Sequence, residues 1–367
     1  MRICLVSPIP PPYGGIGNWS LLLKGYFEGK DGFDVSYVNI APKNELLEER
    51  SFWNRIVVKG CEMLRQKKDL RRLLISKDFD LMHLTTSGRL ALVRDRAFLR
   101  VAKSAGVPTV YHIHFGRVPQ IAKKNTAEWR MMRRNMRLAS RVIAMDPATL
   151  EAIGKYAPEV RANYVPNPVD AEAILRCTRS ASHRKEKKEL VFLGWVAKAK
   201  GIDLLLAAWE TLCERYPEWC LRIVGNCNDS YARELQRNFS LQNVIFDGEK
   251  SHDEAMSRLA EADVFVLPSY TEGFPYAVLE AMTLGRAIVA TDVGAIPEML
   301  KGECGRVIPA GDSKALTDAL ETLMGDESLR KELGKGAQCR VAECYTLRRV
   351  MEQYKKTWSE ARKENDI

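Results

Sequence analysis

The sequence predicts an α/β protein made of two Rossmann-like, doubly wound domains. Its 367 residues exceed one ordinary core and suit two domains of roughly 170–190 residues each. Short β-branched runs alternate with longer amphipathic ones, the pattern of a parallel sheet with helices on both faces. The alternation breaks at a proline-rich segment and then restarts.

In the first half, Ile3–Ser7, Val35–Asn39, Leu81–Leu84, Thr109–His114 and Val142–Met145 read as strands with helical patterns between them. The segment YVPNPVD, Tyr164–Asp170, has two prolines in three residues, which break any helix and mark a crossing between domains. Beyond it Leu190–Leu193, Leu221–Val224, Val244–Phe246, Val264–Leu267 and Ala287–Ala290 read as the strands of a second sheet. The stretch Leu347 to Lys363 places Val350, Met351, Tyr354 and Trp358 at helical spacing, with Lys and Arg opposite, and is expected to pack back across the first domain. The expected division is therefore 1–168 with 346–367, and 169–345. The charged HRKEKKE at His183–Glu189 reads as a solvated loop before the second sheet.

Composition excludes several classes. Apolar runs such as Ala262 to Leu267 fall far short of the roughly 20 residues of a spanning helix, and the chain enters a strand-like segment at once, so a cytoplasmic protein without a cleaved signal is expected. Nine cysteines, among them Cys4, Cys61, Cys177 and Cys304, are odd in number and lack CxxC pairs, which argues against a disulfide framework or a zinc knuckle. The net charge of +9 is uneven: residues 1–170 carry +12 and residues 171–367 carry −3. Such a first half favours an anionic partner. Nucleic-acid recognition lacks a supporting motif. In Arg50–Arg72, Trp53, Ile56, Val57, Cys61 and Leu64 form one helical stripe beside Arg55, Lys59, Arg65, Lys67 and Lys68, a pattern suited to an anionic lipid surface. A core-facing stripe with a solvated basic back explains any single such helix as well. The second basic stretch, Lys123–Arg141, makes peripheral contact with the inner face of a membrane the reading to test.

The sharpest chemical signal is TEGFPYAVLE, Thr271–Glu280, which follows the buried-strand pattern Val264–Leu267 and opens into a helix. With Glu272 in the loop and Glu280 in the helix, both carboxylates can reach the carboxyl end of a parallel strand, where ligands of open α/β sheets bind. Carboxylates accept charge-assisted hydrogen bonds from sugar and ribose diols. Gly273 and the following amides, at a helix N-terminus, suit hydroxyl or phosphate oxygens. The competing reading, ordinary loop and helix charges, sits poorly with Glu280 interrupting the apolar Val278–Leu279 and Ala281–Met282.

With Gly194, KGID (Lys200–Asp203), IVGN (Ile223–Asn226), ATDVGAIPE (Ala290–Glu298), GRVIPAGD (Gly305–Asp312) and the VPNPVD linker in the same order, the second half resembles the retaining glycosyltransferases of family 4. The resemblance implies the GT-B fold, with two Rossmann-like domains facing a central cleft. It also implies an acceptor-binding first domain and a second domain that binds the nucleotide-sugar. It would give Glu280 the ribose hydroxyls, Glu272 and the Gly273–Phe274–Pro275 segment the donor sugar, and Lys200 the diphosphate. For Lys200, a surface lysine before a turn glycine is the rival reading. Where the family's clamp has an arginine, this chain has Trp195; Lys198 would supply the missing charge, or the indole would stack on the ligand.

In YGGIG, Tyr13–Gly17, glycines precede a helical segment; the resemblance would aim Gly14 and Gly15 at the diphosphate, and a tight strand-to-helix turn is the rival. A dinucleotide reading fails because Ser20 stands at the third glycine position and Val38–Asn39–Ile40 offers no acidic residue. In YHIHFG, Tyr111–Gly116, His112 and His114 are read on opposite faces of a strand end, with His114 the family's sugar-contacting histidine and His83 a weaker acceptor-side candidate. Asp78–Phe79–Asp80 resembles a metal-binding DxD but precedes a strand, at the wrong end of a sheet for a ligand. No metal or other cofactor is expected, since Lys200 and amide dipoles can stabilise the departing diphosphate.

The expected function is thus retaining transfer of a sugar from a UDP- or GDP-type donor to a saccharide or lipid-linked acceptor in bacterial surface polysaccharide synthesis. Catalytic roles fall to Glu272, His114 and Lys200. A noncatalytic donor-binding partner of an assembly complex and a nucleotide-sugar epimerase are the alternatives.

Overall fold

A computed structural model describes residues 1–11, 14–29, 32–41, 52–76, 78–178 and 187–363, with backbone alone for 52–59. The chain divides into two units, Met1–Pro168 with Arg348–Ile367, and Val169–Leu347. Each is an α/β sandwich around one parallel six-stranded sheet.

The first sheet comprises β1 (Arg2–Ser7), β2 (Asp34–Asn39), β3 (Leu81–Thr86), β4 (Thr109–Ile113), β5 (Arg141–Ala144) and β6 (Ala162–Tyr164) in the order β2-β1-β3-β4-β5-β6. Every residue of β3 and β4 is buried, as expected of central strands covered on both faces. Helices Phe52–Ser76, Ala91–Ser104 and Ala127–Met136 contribute Leu70, Leu74, Phe98, Leu99, Trp129 and Met132 to one core. The C-terminal helix, Leu347–Lys363, packs back on this unit as its periodicity predicts: Val350, Met351, Tyr354 and Trp358 are completely buried.

The second sheet comprises β7 (Lys188–Leu193), β8 (Trp219–Val224), β9 (Val244–Gly248), β10 (Val264–Leu267), β11 (Ala287–Thr291) and β12 (Arg306–Ile308) in the order β12-β11-β10-β7-β8-β9. Strand order reverses between β7 and β10, and open α/β sheets bind ligands outside the carboxyl ends of strands at such a switch point. Two strands, β6 and β12, have no counterpart in the sequence reading. Both are three-residue edge strands with little burial, too short to carry an alternation signal.

Among the described residues no helix is long and apolar enough to cross a membrane. Cys61, Cys177, Cys213, Cys227, Cys304, Cys339 and Cys344 are free thiols.

Candidate functional site

At the switch point of the second unit, β7 leads through Gly194 into the 3-10 turn Lys198–Lys200 and then Gly201, whose φ of 71° is left-handed. A Cβ on Gly201 would lie 2.0 Å from the Pro268 carbonyl oxygen. Only glycine therefore lets this turn press against the end of β10, and that approach carries Lys200 to the loop after β10. Lys200 Nζ donates to Glu272 Oε1 at 2.6 Å, and the same oxygen accepts from Ser269 Oγ at 2.6 Å. The Glu272 side chain is only 9% exposed, against 30% for Lys200.

The loop bearing Glu272 is fixed from three directions. Tyr270 N donates to Ala199 O at 2.9 Å, Ala295 N to Gly273 O at 2.8 Å, and Thr291 Oγ1 to Ser269 O at 2.6 Å. Gly294, with φ of 58°, lies so close that a Cβ there would meet Gly273 O at 2.4 Å and Glu272 O at 2.5 Å. Phe274 is buried with its ring 5.6 Å from that of Tyr345. Pro275 stands at the position before the helix Tyr276–Thr283 without a capping side-chain hydrogen bond.

Glu280 lies inside that helix and is 7% exposed, so it is no solvent-face charge. Its Oε1 is 3.3 Å from Nε2 of His252, the first residue of helix His252–Glu261. This hydrogen bond raises the His252 pKa above the usual imidazole value, against the opposing effect of burial. Lys198 goes elsewhere: its ammonium donates to Glu234 Oε1 at 2.6 Å, so it does not join Lys200 and Glu272. Trp195 is 71% exposed.

In the first unit, Gly14 and Gly15 stand exposed at the start of helix Gly15–Phe27. Gly14 is extended, with φ of 177°, and a Cβ there would meet nothing. The packing constraint falls instead on Gly17, whose Cβ would lie 2.9 Å from Pro10 Cγ. Tyr13 lies outside the described residues.

The opposite-face reading of His112 and His114 is wrong. Residues two apart in a strand share a face, and the rings lie side by side with centroids 3.9 Å apart. His83 joins them from β3, its Nε2 3.2 Å from His112 Nδ1. His83, the weaker acceptor-side candidate, and His112 are completely buried, whereas His114 is partly buried.

Asp78 and Asp80 have structural partners at the amino end of β3: Asp78 pairs with Arg2, while Asp80 accepts from the Arg2 amide at 2.7 Å and pairs with Arg362 at 3.2 Å. Of the basic stripe, Trp53, Ile56 and Val57 have side chains outside the described residues. Cys61 is exposed and Leu64 is 59% exposed, so these two do not face the core. Helix Ala127–Met136, by contrast, buries Trp129, Met132 and Met136 and turns Arg130 and Arg134 outward.

Two family profiles cover most of the chain. "Glycosyltransferase Family 4" matches residues 13–173 and "Glycosyl transferases group 1" matches residues 178–340. The chain belongs to glycosyltransferase family 4. Among similar proteins, a phosphatidyl-myo-inositol mannosyltransferase of Mycobacterium leprae is 29% identical over 71% of this chain and 68% of its own length. The capsular polysaccharide biosynthesis glycosyltransferase CapM of Staphylococcus aureus is 28% identical over 48% of this chain and 47% of its own. Beyond the first, the matched regions span about half the length of the curated relatives.

Solved structures of the same GT-B class superpose on nearly the whole chain. Sucrose-phosphate synthase from Thermosynechococcus elongatus gives a TM-score of 0.77 at 16% identity, covering 98% of both chains. Anabaena HepE in complex with UDP gives 0.73 at 18% identity, covering 98% of this chain and 100% of that one.

Several residues of this candidate site escaped sequence reasoning. Ser269, Thr291 and Gly294 hold the Glu272 loop, and His252 faces Glu280. Only Thr291 and Gly294 had a signal, since both sit in the ATDVGAIPE segment.

Proposed function

We propose that the second unit binds a nucleotide diphosphate sugar, with UDP- or GDP-sugars as the donors, and that the enzyme transfers the sugar with retention to a saccharide or lipid-linked acceptor in surface polysaccharide synthesis. The observation that carries this is the Lys200–Glu272–Ser269 contact at the switch point, one helix away from the buried Glu280. In the free chain Lys200 and Glu272 neutralise each other. A diphosphate would replace Glu272 as the partner of the ammonium, leaving the carboxylate to accept hydrogen bonds from sugar hydroxyls. Lys200 would then stabilise charge on the departing diphosphate, the electrostatic role that in other acyl and phosphoryl chemistry lowers barriers most. Glu280 would take the ribose hydroxyls and His114 would orient the sugar. A resident metal is not part of this mechanism.

The first unit would bind the acceptor. Exposed Leu64 and Ile75 share helix Phe52–Ser76 with Lys67 and Arg71, and a groove of about 290 Å³ lined by Lys67, Arg71, Ile75 and Arg100 opens beside them. Apolar side chains set among cations suit an anionic bilayer surface and a lipid-linked acceptor. The experiment is a thermal-shift screen with UDP, GDP, ADP and their sugars, followed by nucleotide release with the stabilising donor. A ligand that binds only the folded chain raises its melting temperature. The expected result is stabilisation by one nucleotide class and release of that nucleotide when acceptor is added. Stabilisation without release would overturn the transferase reading, and conversion of the donor without acceptor would make the protein an epimerase.

A further inference from the structure

Three guanidiniums meet on the outer face of the first unit. Arg96 and Arg100 stand one turn apart on helix Ala91–Ser104, the i,i+4 spacing that sets side chains side by side on one face. Arg134 comes from helix Ala127–Met136. The completely buried Asn135 pins the two helices together, its Nδ2 donating to Leu92 O at 2.8 Å. Arg100 and Arg134 are exposed, and Arg96 is half-buried.

The acids nearest in sequence are committed elsewhere. Asp95 turns inward, completely buried, and accepts from Arg94 at 2.8 Å and from Tyr111 at 3.0 Å. Glu128 accepts from Arg117 and from the Arg89 amide. Glu159 holds the neighbouring Arg133 at 2.7 Å and Arg137 at 2.6 Å. Among the described residues Arg96, Arg100 and Arg134 have no ion-pair partner.

Like charges at i,i+4 repel, and Arg96 Nη1 is buried without a hydrogen-bond partner. A buried charged group left unpaired needs a reason. Burial first, and then the fields of Arg100 and Arg134, pull the Arg96 pKa below the ordinary guanidinium value. The free chain thus holds a positive cluster without its counter-charge. Guanidinium forks match phosphate oxygens in pairs, so an anion at the outer face would draw Arg96 outward and turn mutual repulsion into shared attraction.

We propose that Arg96, Arg100 and Arg134 form a phosphate-binding site on the outer face of the first unit, taking the phosphate of a lipid headgroup or of a soluble phosphate compound. The setting favours the lipid source. Exposed Val93 precedes Arg96 by three residues and Arg100 by seven, which places it on their face, and exposed Leu90 stands one turn earlier. Arg100 also lines the groove shared by Lys67, Arg71 and exposed Ile75. The inference rests on the reading of this basic face as the one that meets an anionic group, and not on donor binding by the second unit.

The test uses full-length Lys200→Ala protein, so that an anion held by the second unit does not enter. Into it are placed Arg96→Gln, Arg134→Gln or, as a control of equal charge change on another helix of the same unit, Lys155→Gln. The probes are vesicles of phosphatidylcholine with and without phosphatidylglycerol, read by co-sedimentation, and inorganic pyrophosphate, read by thermal shift. Binding to the phosphatidylglycerol vesicles is expected to weaken about tenfold with either arginine variant and less than about twofold with Lys155→Gln. A pyrophosphate response that the arginine variants abolish, without vesicle binding, assigns the site to a soluble phosphate. No response to either probe, or one that Lys155→Gln reduces as much as the arginine variants do, overturns the site. Arg134 is exposed, so its replacement keeps the test open even where Arg96→Gln fails to fold. Absence of a nucleotide response in the native protein would overturn the donor reading and leave this one standing.

Discussion

The two sheets share a parallel six-stranded plan, yet their strands lead to opposite electrostatic environments. Beside β3 and β4 the first unit gathers three imidazoles that burial keeps neutral, with Trp19, Tyr354 and Trp358 around them and Trp19 Nε1 donating to Tyr354 OH at 2.9 Å. Beyond β7 and β10 the second unit concentrates charge, with Lys200 on Glu272 and His252 on Glu280. One fold thus carries a neutral aromatic and imidazole cluster in one unit and ion pairs in the other. An ion pair whose anion can be replaced by a ligand suits binding of a diphosphate, whereas a neutral aromatic cluster suits positioning.

The largest test of that contrast is Trp19→Ala. It removes a completely buried indole at the centre of the neutral cluster and should cost about 3–5 kcal/mol in urea unfolding. A smaller effect is expected from Gly201→Ala, which strains a left-handed residue and drives a Cβ into the Pro268 carbonyl. It should destabilise by roughly 1–3 kcal/mol and raise the KM for donor by displacing Lys200.

The smallest effect distinguishes the two units by pH. His252 has a raised folded pKa, so its stabilisation is fully present below the unfolded imidazole value and is lost as pH rises through the folded value. His252→Asn should therefore lower the melting temperature more at pH 6 than at pH 8.5. His83 has the opposite sign. With its folded pKa near 3, its stabilisation is complete above the unfolded value and declines as pH falls towards 3. A conservative replacement of His83 that folds should flatten the acid limb of the melting curve. Equal pH responses for the two variants would dissolve the contrast.

Much of this architecture is legible in the chain because the central strands of both sheets are buried on two faces, and their β-branched runs announce them. The Glu272–Glu280 segment is legible for a related reason: a carboxylate inside an apolar helix series is hard to place in solvent. The pairing of Lys200 with Glu272 is not legible, since 72 residues separate them and only the adjacency of β7 and β10 unites them. The histidine cluster needs the same kind of information, because the parallel register sets Thr85 beside His112 and thereby brings His83 within reach. The partner of Lys198 is equally hidden in the sequence: its ammonium donates to Glu234, on helix Asp229–Asn238.

The central claim is that Lys200 and Glu280 belong to one donor site, and nucleotide release measured with the stabilising donor in Lys200→Ala and Glu280→Ala tests it most directly. The account predicts a fall in kcat of about 10²–10³ for Lys200→Ala, the scale seen when one electrostatic stabiliser is removed, and weaker donor binding for Glu280→Ala. Release rates and donor affinity unchanged in both variants would contradict it.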